Sequence, residues 1–241
     1  MARRVLLKLS GEALMGGLDF GIEDQMMNRV VDALKSATQA GVQIGVVVGG
    51  GNLFRGVQGS ASGMDRTRAD QMGMMATVMN GLALQDALER SGQAVRAFCA
   101  IEMPRVMELF RRDVAMRALE GGEVCVFAGG TGNPVFTTDS PAALRAAELK
   151  ADELIKGTQV DGVYDSDPRI NPVARCFETV SFSTCLSKRL KVMDASAFAI
   201  CQSEDIRVRV FNMHHEGALA QALRGSVSGT LVGVGLEDRF V

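Results

Sequence analysis

The stretch Val46-Val47-Val48-Gly49-Gly50-Gly51 decides the fold class, because a run of β-branched residues stops there at three glycines. Such a run is typical of a buried strand, and the glycines predict a turn whose backbone carries no Cβ atoms. Backbone N–H groups in a turn of this kind can converge on an anion. Arg55, a few residues further on, offers a planar guanidinium fork that suits phosphate. The stretch therefore predicts a strand that ends in a phosphate-binding turn.

Two other stretches repeat this pattern of an apolar run followed by glycine. Residues 5–9 run into Ser10-Gly11, and residues 124–128 run into Gly129-Gly130-Thr131-Gly132. Glycine-rich turns after strands are also common for purely geometric reasons, so one such turn is weak evidence. Three of them together, two with a cation nearby, favour a site for more than one phosphate.

Two common phosphate motifs are absent from the sequence. Gly51 and Gly56 have the glycine spacing of the P-loop, but Val57 and Gln58 follow in place of Lys and Ser or Thr. Neither glycine cluster has the Gly-x-Gly-x-x-Gly spacing of the dinucleotide-binding fingerprint. If the chain is a nucleotide enzyme, it belongs to neither of these classes.

The composition narrows the class of protein. Of the 241 residues 47% are hydrophobic, which is enough for a large core, and the net charge of −2 disfavours a nucleic-acid-binding role. Five cysteines without a C-x-x-C pair suit a reduced cytoplasmic protein, and no apolar run is long enough for a signal peptide or a membrane span. The only two histidines, His214 and His215, argue against a histidine-based triad or a histidine-rich metal site.

Strand-like and helix-like patterns alternate along the chain, without a linker or a repeat. The strand runs lie near residues 4–9, 43–48, 94–100, 123–128, 153–156, 207–211 and 230–234. The helical runs include 23–39 and the methionine-rich 69–90, whose methionines we expect in the core or in a subunit interface. Helices are expected to open at Pro104 and Pro141 and to be capped by Ser183 and Asp194. This alternation predicts an α/β protein with a mostly parallel sheet, whose ligands bind at the carboxyl ends of the strands.

Residues 157–172 show no helix or strand rhythm and have two interpretations. Their turn-forming composition fits a polar surface loop. They equally fit a nucleotide-binding loop, in which Tyr164 packs on a base and Asp167 holds a sugar or metal-bound phosphates.

Seven motifs, in this order along the whole chain, resemble the bacterial uridylate kinases of the amino acid kinase superfamily. The motifs are Lys8-Leu9-Ser10-Gly11, Gly49-Gly50-Gly51-Asn52-Leu53-Phe54-Arg55-Gly56, Gly130-Thr131-Gly132-Asn133-Pro134-Val135-Phe136-Thr137-Thr138-Asp139, Val160-Asp161-Gly162-Val163-Tyr164, Asp167-Pro168, Lys191-Val192-Met193-Asp194 and Val210-Phe211-Asn212-Met213. The third motif is the most specific of them.

The resemblance implies a three-layer α/β/α sandwich around a mostly parallel sheet, formed by a single domain over 1–241. A UMP lobe is expected over roughly 1–150 and an ATP lobe over roughly 151–241. The implied reaction transfers a phosphoryl group from ATP to UMP, with Mg²⁺ bound to ATP and no residue firmly assigned as a ligand of the metal, in pyrimidine nucleotide biosynthesis. The implied assembly is a homohexamer that GTP activates and UTP inhibits.

The resemblance also assigns residues to roles. The implied catalytic residues are Lys8, Arg55, Asp139 and Lys191, with Asp139 orienting the two lysines or binding Mg²⁺. The implied ATP-binding residues are Lys8, Leu9, Ser10, Gly11, Gly51, Arg55, Thr158, Gln159, Tyr164 and Asp167. The implied UMP-binding residues are Gly50, Asp70, Thr131, Gly132, Asn133, Pro134, Val135, Phe136, Thr137 and Thr138. The glycine-rich segment Gly16, Gly17, Leu18, Asp19, Phe20 and Gly21 is assigned to the allosteric response.

Several alternatives stay open on the residues alone. Lys8 could be an ordinary strand lysine, and Asp70, Asp139 and Asp194 could each cap a helix. The chain could phosphorylate a carboxylate, a carbamate or isopentenyl phosphate instead of UMP. It could also be a non-catalytic nucleotide-binding or regulatory protein.

Overall fold

The computed structural model describes residues 2–54, 63–190, 192–227 and 229–241. The strands are β1 Arg4–Leu9, β2 Gln43–Val48, β3 Val95–Cys99, β4 Glu108–Leu109, β5 Val124–Ala128, β6 Glu153–Thr158, β7 Phe177–Ser181, β8 Arg207–Asn212, β9 Thr230–Gly233 and β10 Arg239–Phe240. The helices are α1 Glu12–Met15, α2 Asp24–Gln39, α3 Arg66–Arg90, α4 Arg112–Glu120, α5 Asp139–Glu148, α6 Phe182–Ser187, α7 Ala195–Ser203 and α8 Ala218–Arg224.

The ten strands of the described residues form one sheet in the order β10-β7-β9-β8-β6-β1-β2-β5-β3-β4. Every pairing from β8 across to β4 is parallel, whereas β8–β9 and β7–β10 are antiparallel. The predicted α/β class with a mostly parallel sheet is therefore confirmed. Because β6, β1, β2 and β5 are neighbours, their carboxyl ends meet at one edge in the middle of the sheet.

Two hydrophobic cores, one on each face of the sheet, confirm the layered arrangement. The residues of β1 alternate between the faces: Leu7 and Leu9 pack in the core with α2 and α8, and Leu6 packs in the core with α5 and α7. By the same alternation, Lys8 lies on the face that α5 covers. In β6, Leu154 packs on the α5 face and Ile155 on the other, which puts Lys156 on the same face as Lys8.

Some local predictions were wrong. Pro104 opens no helix: it lies in a turn closed by a bridge between Met103 and Met107, and α4 begins only at Arg112. Ser183 lies inside α6, whose cap is Ser181. Pro141 is in the first turn of α5 but is its third residue, since the helix begins at Asp139.

The methionines of α3 were expected in the core or in a subunit interface, and most of those singled out do not lie in the core. Met72, Met75, Met79 and Leu82 are exposed on α3, while Leu88 is fully buried. The first four recur at helical spacing and so share one face. Among the helices that the structure describes, none combines the length and the hydropathy of a membrane-spanning segment.

Candidate active site

The three glycine turns meet at the carboxyl ends of β1, β2 and β5. A Cβ atom on Gly11 would lie 2.5 Å from the backbone N of Gly51, and one on Gly49 would lie 2.8 Å from the N of Gly11. A Cβ atom on Gly50 would lie 2.8 Å from the Cβ of Ala76 in α3. These positions need glycine because the backbones of neighbouring turns, and of the turn and α3, touch. Gly130 and Thr131 of the third turn line one cavity together with Gly50 and Gly51, so the predicted convergence of the three turns is confirmed.

A pair of buried asparagines holds the Gly49–Gly51 turn. Asn80 of α3 donates to the carbonyl of Gly49 at 2.7 Å and to Asn52 Oδ1 at 2.7 Å. Asn52 in turn donates to the carbonyl of Gly21 at 2.8 Å. Asn80 was not predicted from the sequence, because a single asparagine within a helix carries no distinctive signal.

A buried carboxylate bridges two lysines beside these turns. Asp139, the first residue of α5, has one oxygen 3.2 Å from Lys8 Nζ and the other 2.7 Å from Lys156 Nζ. Lys156 also donates to the carbonyl of Val192 at 2.6 Å. Burial lowers the pKa of Lys156, and the carboxylate of Asp139 opposes that shift. Both oxygens of Asp139 face lysines, so the contacts favour its predicted role of orienting Lys8 over binding Mg²⁺ or capping the helix.

Asp194 is the N-cap of α7, as expected from the sequence. Its side chain accepts from the backbone N–H of Ala197 at 2.7 Å and from the hydroxyls of Thr137 and Ser140. Burial is the largest influence and raises its pKa, but these hydrogen bonds together outweigh burial, so the pKa of Asp194 is lowered. The residue thus ties α7 to the loop that precedes α5.

Three adjoining cavities open at this edge of the sheet. The central cleft contains Lys8, Ser10, Gly11, Asp139 and Asp194. The β5-side cavity, of about 540 Å³, shares Gly50, Gly51, Thr137 and Thr138 with the cleft and extends to Phe54, Arg66, Asp70, Gly73, Met74, Thr77, Gly130, Thr131, Asn133 and Phe136. The β6-side cavity, of about 610 Å³, is bordered by Lys156 and includes Thr158, Gln159, Tyr164, Asp167, Lys188 and Arg189.

Asp70 borders the β5-side cavity and is not a helix cap, since the N-cap of α3 is Asp65. Its carboxylate accepts from Arg66 Nε at 3.0 and 2.9 Å and from the backbone N–H of Val135 at 2.8 Å. These contacts hold the 131–138 loop against α3. Within that loop, Gly132, Pro134 and Val135 lie outside the residues that line the cavity.

The predicted ATP-binding residues fall into two groups. Lys8, Ser10, Gly11 and Gly51 line the central cleft. Thr158, Gln159, Tyr164 and Asp167 all line the β6-side cavity, as a nucleotide-binding loop requires. Asp167 accepts from the guanidinium of Arg169 at 2.8 Å. The Leu9 side chain is fully buried, so only its backbone is near the cleft.

Other predicted residues lie away from the cavities or outside the described residues. In the 16–21 segment, Leu18 and Phe20 are exposed, and Gly21 exchanges hydrogen bonds with Asn52. This contact connects the segment to the Gly49–Gly51 turn. Arg55 and Lys191 lie outside the described residues, so their assigned roles stay predictions.

Lys156 is a site residue that the sequence analysis missed. A lysine within a strand reads as a solvent-facing residue, and only the register Lys8↔Lys156 between β1 and β6 brings it to the site. A weak signal was present, since Lys156 directly follows the apolar pair Leu154-Ile155 and precedes Gly157, as Lys8 precedes a glycine turn in β1.

Comparison with known proteins gives consistent matches over most of the chain. The model of the amino acid kinase family matches residues 3–212. A uridylate kinase of Magnetococcus marinus is 52% identical over 231 residues, or 96% of each chain, and one of Zymomonas mobilis is 53% identical over 229 residues, or 95% of each. The crystal structure of a UMP kinase from Bacillus anthracis superposes with a TM-score of 0.95 at 31% identity, covering 100% of this chain and 99% of that one.

Proposed function

This chain belongs to the amino acid kinase family, and from that premise we propose that it is a uridylate kinase, which transfers the γ-phosphoryl group of ATP to UMP. The observation that carries the proposal is the position of the central cleft. The cleft contains Lys8 and the glycine turns, and it adjoins the β5-side cavity directly and the β6-side cavity through Asp139 and Lys156. Two phosphorylated ligands bound in the outer cavities would meet there.

The reaction needs no general base. The attacking group is an oxygen of the UMP phosphate, whose second pKa of about 6 leaves it largely ionised at neutral pH. The two histidines fit this requirement, since both are exposed and His215 pairs with Asp161 rather than facing the cleft. Catalysis then consists of holding two polyanions in line and stabilising their charge.

The cations and the turns provide that stabilisation. We assign Lys8 to the transferring phosphoryl group, with the backbone of Ser10 and Gly11 beside it and that of Gly50 and Gly51 beneath the acceptor and γ phosphates. Convergent N–H groups and a half-buried ammonium act strongly in a cleft from which water is excluded. Arg55 and Lys191 are expected to add further positive charge.

Mg²⁺ fits this site as a companion of ATP. Among the described residues no cluster of three or more His, Cys, Asp or Glu could hold a metal, and the carboxylates of Asp139 and Asp194 already face lysines, hydroxyls and an amide. Mg²⁺ commonly keeps its waters and binds substrate phosphates with few protein ligands. When bound, it would neutralise negative charge on the phosphates of ATP.

The remaining contacts divide between the two outer cavities. In the β5-side cavity, Asp70 is positioned to accept from ribose hydroxyls, and the 131–138 loop would enclose the uridylate, with Asn133 and Thr138 facing uracil. In the β6-side cavity, Thr158, Gln159, Tyr164 and Asp167 would hold ATP. This division supports a UMP lobe over roughly 1–150 and an ATP lobe over roughly 151–241.

An ADP-release assay across UMP, CMP, dUMP, carbamate and aspartate tests the proposal. We expect UMP to be the preferred acceptor, and dUMP to be used less well because it lacks a hydroxyl that Asp70 can bind. Preference for carbamate or a carboxylate would favour another reaction of the family, and saturable UMP binding without turnover would favour a regulatory protein.

We further propose that the chain forms a homo-oligomer, as a hexamer. The support is the exposed face of Met72, Met75, Met79 and Leu82 on α3, because a row of apolar side chains is unusual on a helix that faces only water. Light scattering at micromolar concentration should give a particle mass of about six times 25.7 kDa. A particle of 25.7 kDa would contradict the proposal.

Regulation and location stay predictions. Activation by GTP and inhibition by UTP can be measured in the same assay, and the link from the 16–21 segment through Asn52 to the Gly49–Gly51 turn is a route by which an effector could act. The proposed cytoplasmic location rests on the five free cysteines, and the proposed role in pyrimidine nucleotide biosynthesis rests on the proposed substrates.

A further inference from the structure

Lys156 and Lys8 form an unusual pair of like charges. They are directly in register on the neighbouring strands β6 and β1 and lie on the face that α5 covers. Like charges side by side on adjacent strands repel, and burial increases the cost. Asp139 offsets this repulsion by presenting one carboxylate oxygen to each ammonium group.

The two lysines are held in different ways. Lys156 makes directed hydrogen bonds to Asp139 Oδ2 at 2.7 Å and to the carbonyl of Val192 at 2.6 Å. Lys8 lies 3.2 Å from Asp139 Oδ1, yet within the described part of the chain that buried oxygen accepts no directed hydrogen bond. Lys8 is thus held mainly by charge, and its N–H groups stay free to turn toward a ligand in the central cleft.

We propose that Lys156 is a positioning residue for phosphoryl transfer: by fixing one oxygen of Asp139, it directs the other toward Lys8 and so holds the Lys8 ammonium at the central cleft. The inference rests on the function proposed above and deepens it. Lys156 is well suited to this task because Asp139 and Val192 leave it little freedom to move. Its side chain is only 14% exposed.

Two other roles for Lys156 make different kinetic predictions. Lys156 borders the β6-side cavity, so it could bind a phosphate of ATP directly, and its loss would then raise KM for ATP. If it only supported the fold, its loss would lower thermal stability and leave kcat per folded molecule unchanged. A positioning role lowers kcat at saturating substrates and depends on Asp139.

The test compares Lys156→Met, Asp139→Asn and the double variant with the wild type. Lys150→Met serves as the control, because Lys150 is exposed just beyond the other end of α5. We expect Lys156→Met to lower kcat by about 100-fold, the loss that misplacement of a catalytic group commonly causes, with both KM values within about threefold of wild type. The double variant should fall no more than about threefold below Asp139→Asn, because the two residues act through one chain of contacts. The control should retain wild-type kcat.

Three results would overturn the inference: a kcat for Lys156→Met within about twofold of wild type, losses that multiply in the double variant, or a raised KM for ATP at unchanged kcat. UMP binding measured by calorimetry counts the folded sites in each variant. If Lys156→Met binds no UMP, the kcat of the double variant is instead compared with that of Asp139→Asn. The double variant suits this comparison because it leaves no unpaired carboxylate in the core. A wild-type chain that forms no UDP would overturn the proposed function itself, whereas an active wild type with an unaffected Lys156→Met overturns only the positioning role.

Discussion

The carboxylate of Asp70 accepts a 2.8 Å hydrogen bond from the backbone N–H of Val135, whose φ of 78° is left-handed. The other described non-glycine residues with positive φ, Lys150, Arg189 and Asp205, each directly follow the C-cap of a helix, where this conformation is common. Val135 follows no helix and is β-branched. Its contact with Asp70 therefore holds a strained backbone at the edge of the proposed UMP site.

Val135→Gly should leave the free energy of unfolding unchanged or raise it by about 1 kcal/mol. The left-handed conformation costs a non-glycine residue about 1–2 kcal/mol, and glycine adds about 0.5–1 kcal/mol of unfolded-chain entropy. Urea denaturation measures the difference. The control is Val173→Gly, at an exposed valine without positive φ, which should destabilise slightly. A clear loss of stability in Val135→Gly alone would contradict the strain.

Gly50→Ala should destabilise the chain and impair UMP turnover. Its new Cβ atom would lie 2.8 Å from the Cβ of Ala76 and 2.9 Å from the carbonyl of Gly73, and such overpacking typically costs about 1–3 kcal/mol. Gly73→Ala, on the opposing helix, meets nothing within 4 Å and should instead stabilise by about 1 kcal/mol through helix propensity. Thermal unfolding of the two variants checks this contrast, and equal effects would rule it out.

Asn80→Ala should cost about 1–3 kcal/mol, because it leaves polar groups of Asn52 and Gly49 buried without their donor or acceptor. It should also raise KM for UMP, since the Gly49–Gly51 turn loses its support from α3. Gln85→Ala, in the same helix, should change stability by no more than about 0.5 kcal/mol. If Asn80→Ala proves as stable as Gln85→Ala, the asparagine pair does not hold the turn.

The contribution of Asp194 to stability should disappear in acid. Its folded pKa lies below the ordinary value of 3.8, so the ionised form is favoured in the folded chain. Stability from this group is therefore complete above the unfolded pKa and is lost as pH falls through the folded pKa. Urea denaturation of wild type and Asp194→Ala should show a difference at pH 6 that narrows below about pH 4. A difference that stays constant to pH 3 would mean that the carboxylate charge is not responsible.

The centre of the fold could be predicted from the sequence because its signals are local. The runs of β1, β2 and β5 are apolar and end at or next to glycine, so each strand and its turn follow from adjacent residues. The parallel pairing follows from the alternation of strands with helices, whereas the strand order was not predicted. The strand β7 was missed because its only two apolar residues, Phe177 and Val180, are three apart and so show no strand periodicity next to a polar loop. The helix predicted to open at Pro104 was wrong because proline favours turns as much as the first turn of a helix.

The site could be predicted only in part, because two of its supports depend on contacts distant in sequence. Asp139 and Lys8 are far apart along the chain, and the resemblance to a known family brought them together. Lys156 and Asn80 lie in a strand and a helix whose patterns give no reason to single them out. Their roles emerge from strand register and from the packing of α3 on the glycine turn.

The most direct test of the account is kcat for UMP phosphorylation by Lys8→Met at saturating ATP and UMP, compared with Lys150→Met. If the reaction depends on fixed charge beside already ionised reactants, Lys8→Met should lose about 100- to 1,000-fold in kcat, as for removal of a stabilising donor at a transition state. Higher pH should not restore the lost activity, and Lys150→Met should match the wild type. A Lys8→Met enzyme with kcat within about twofold of wild type would contradict the account.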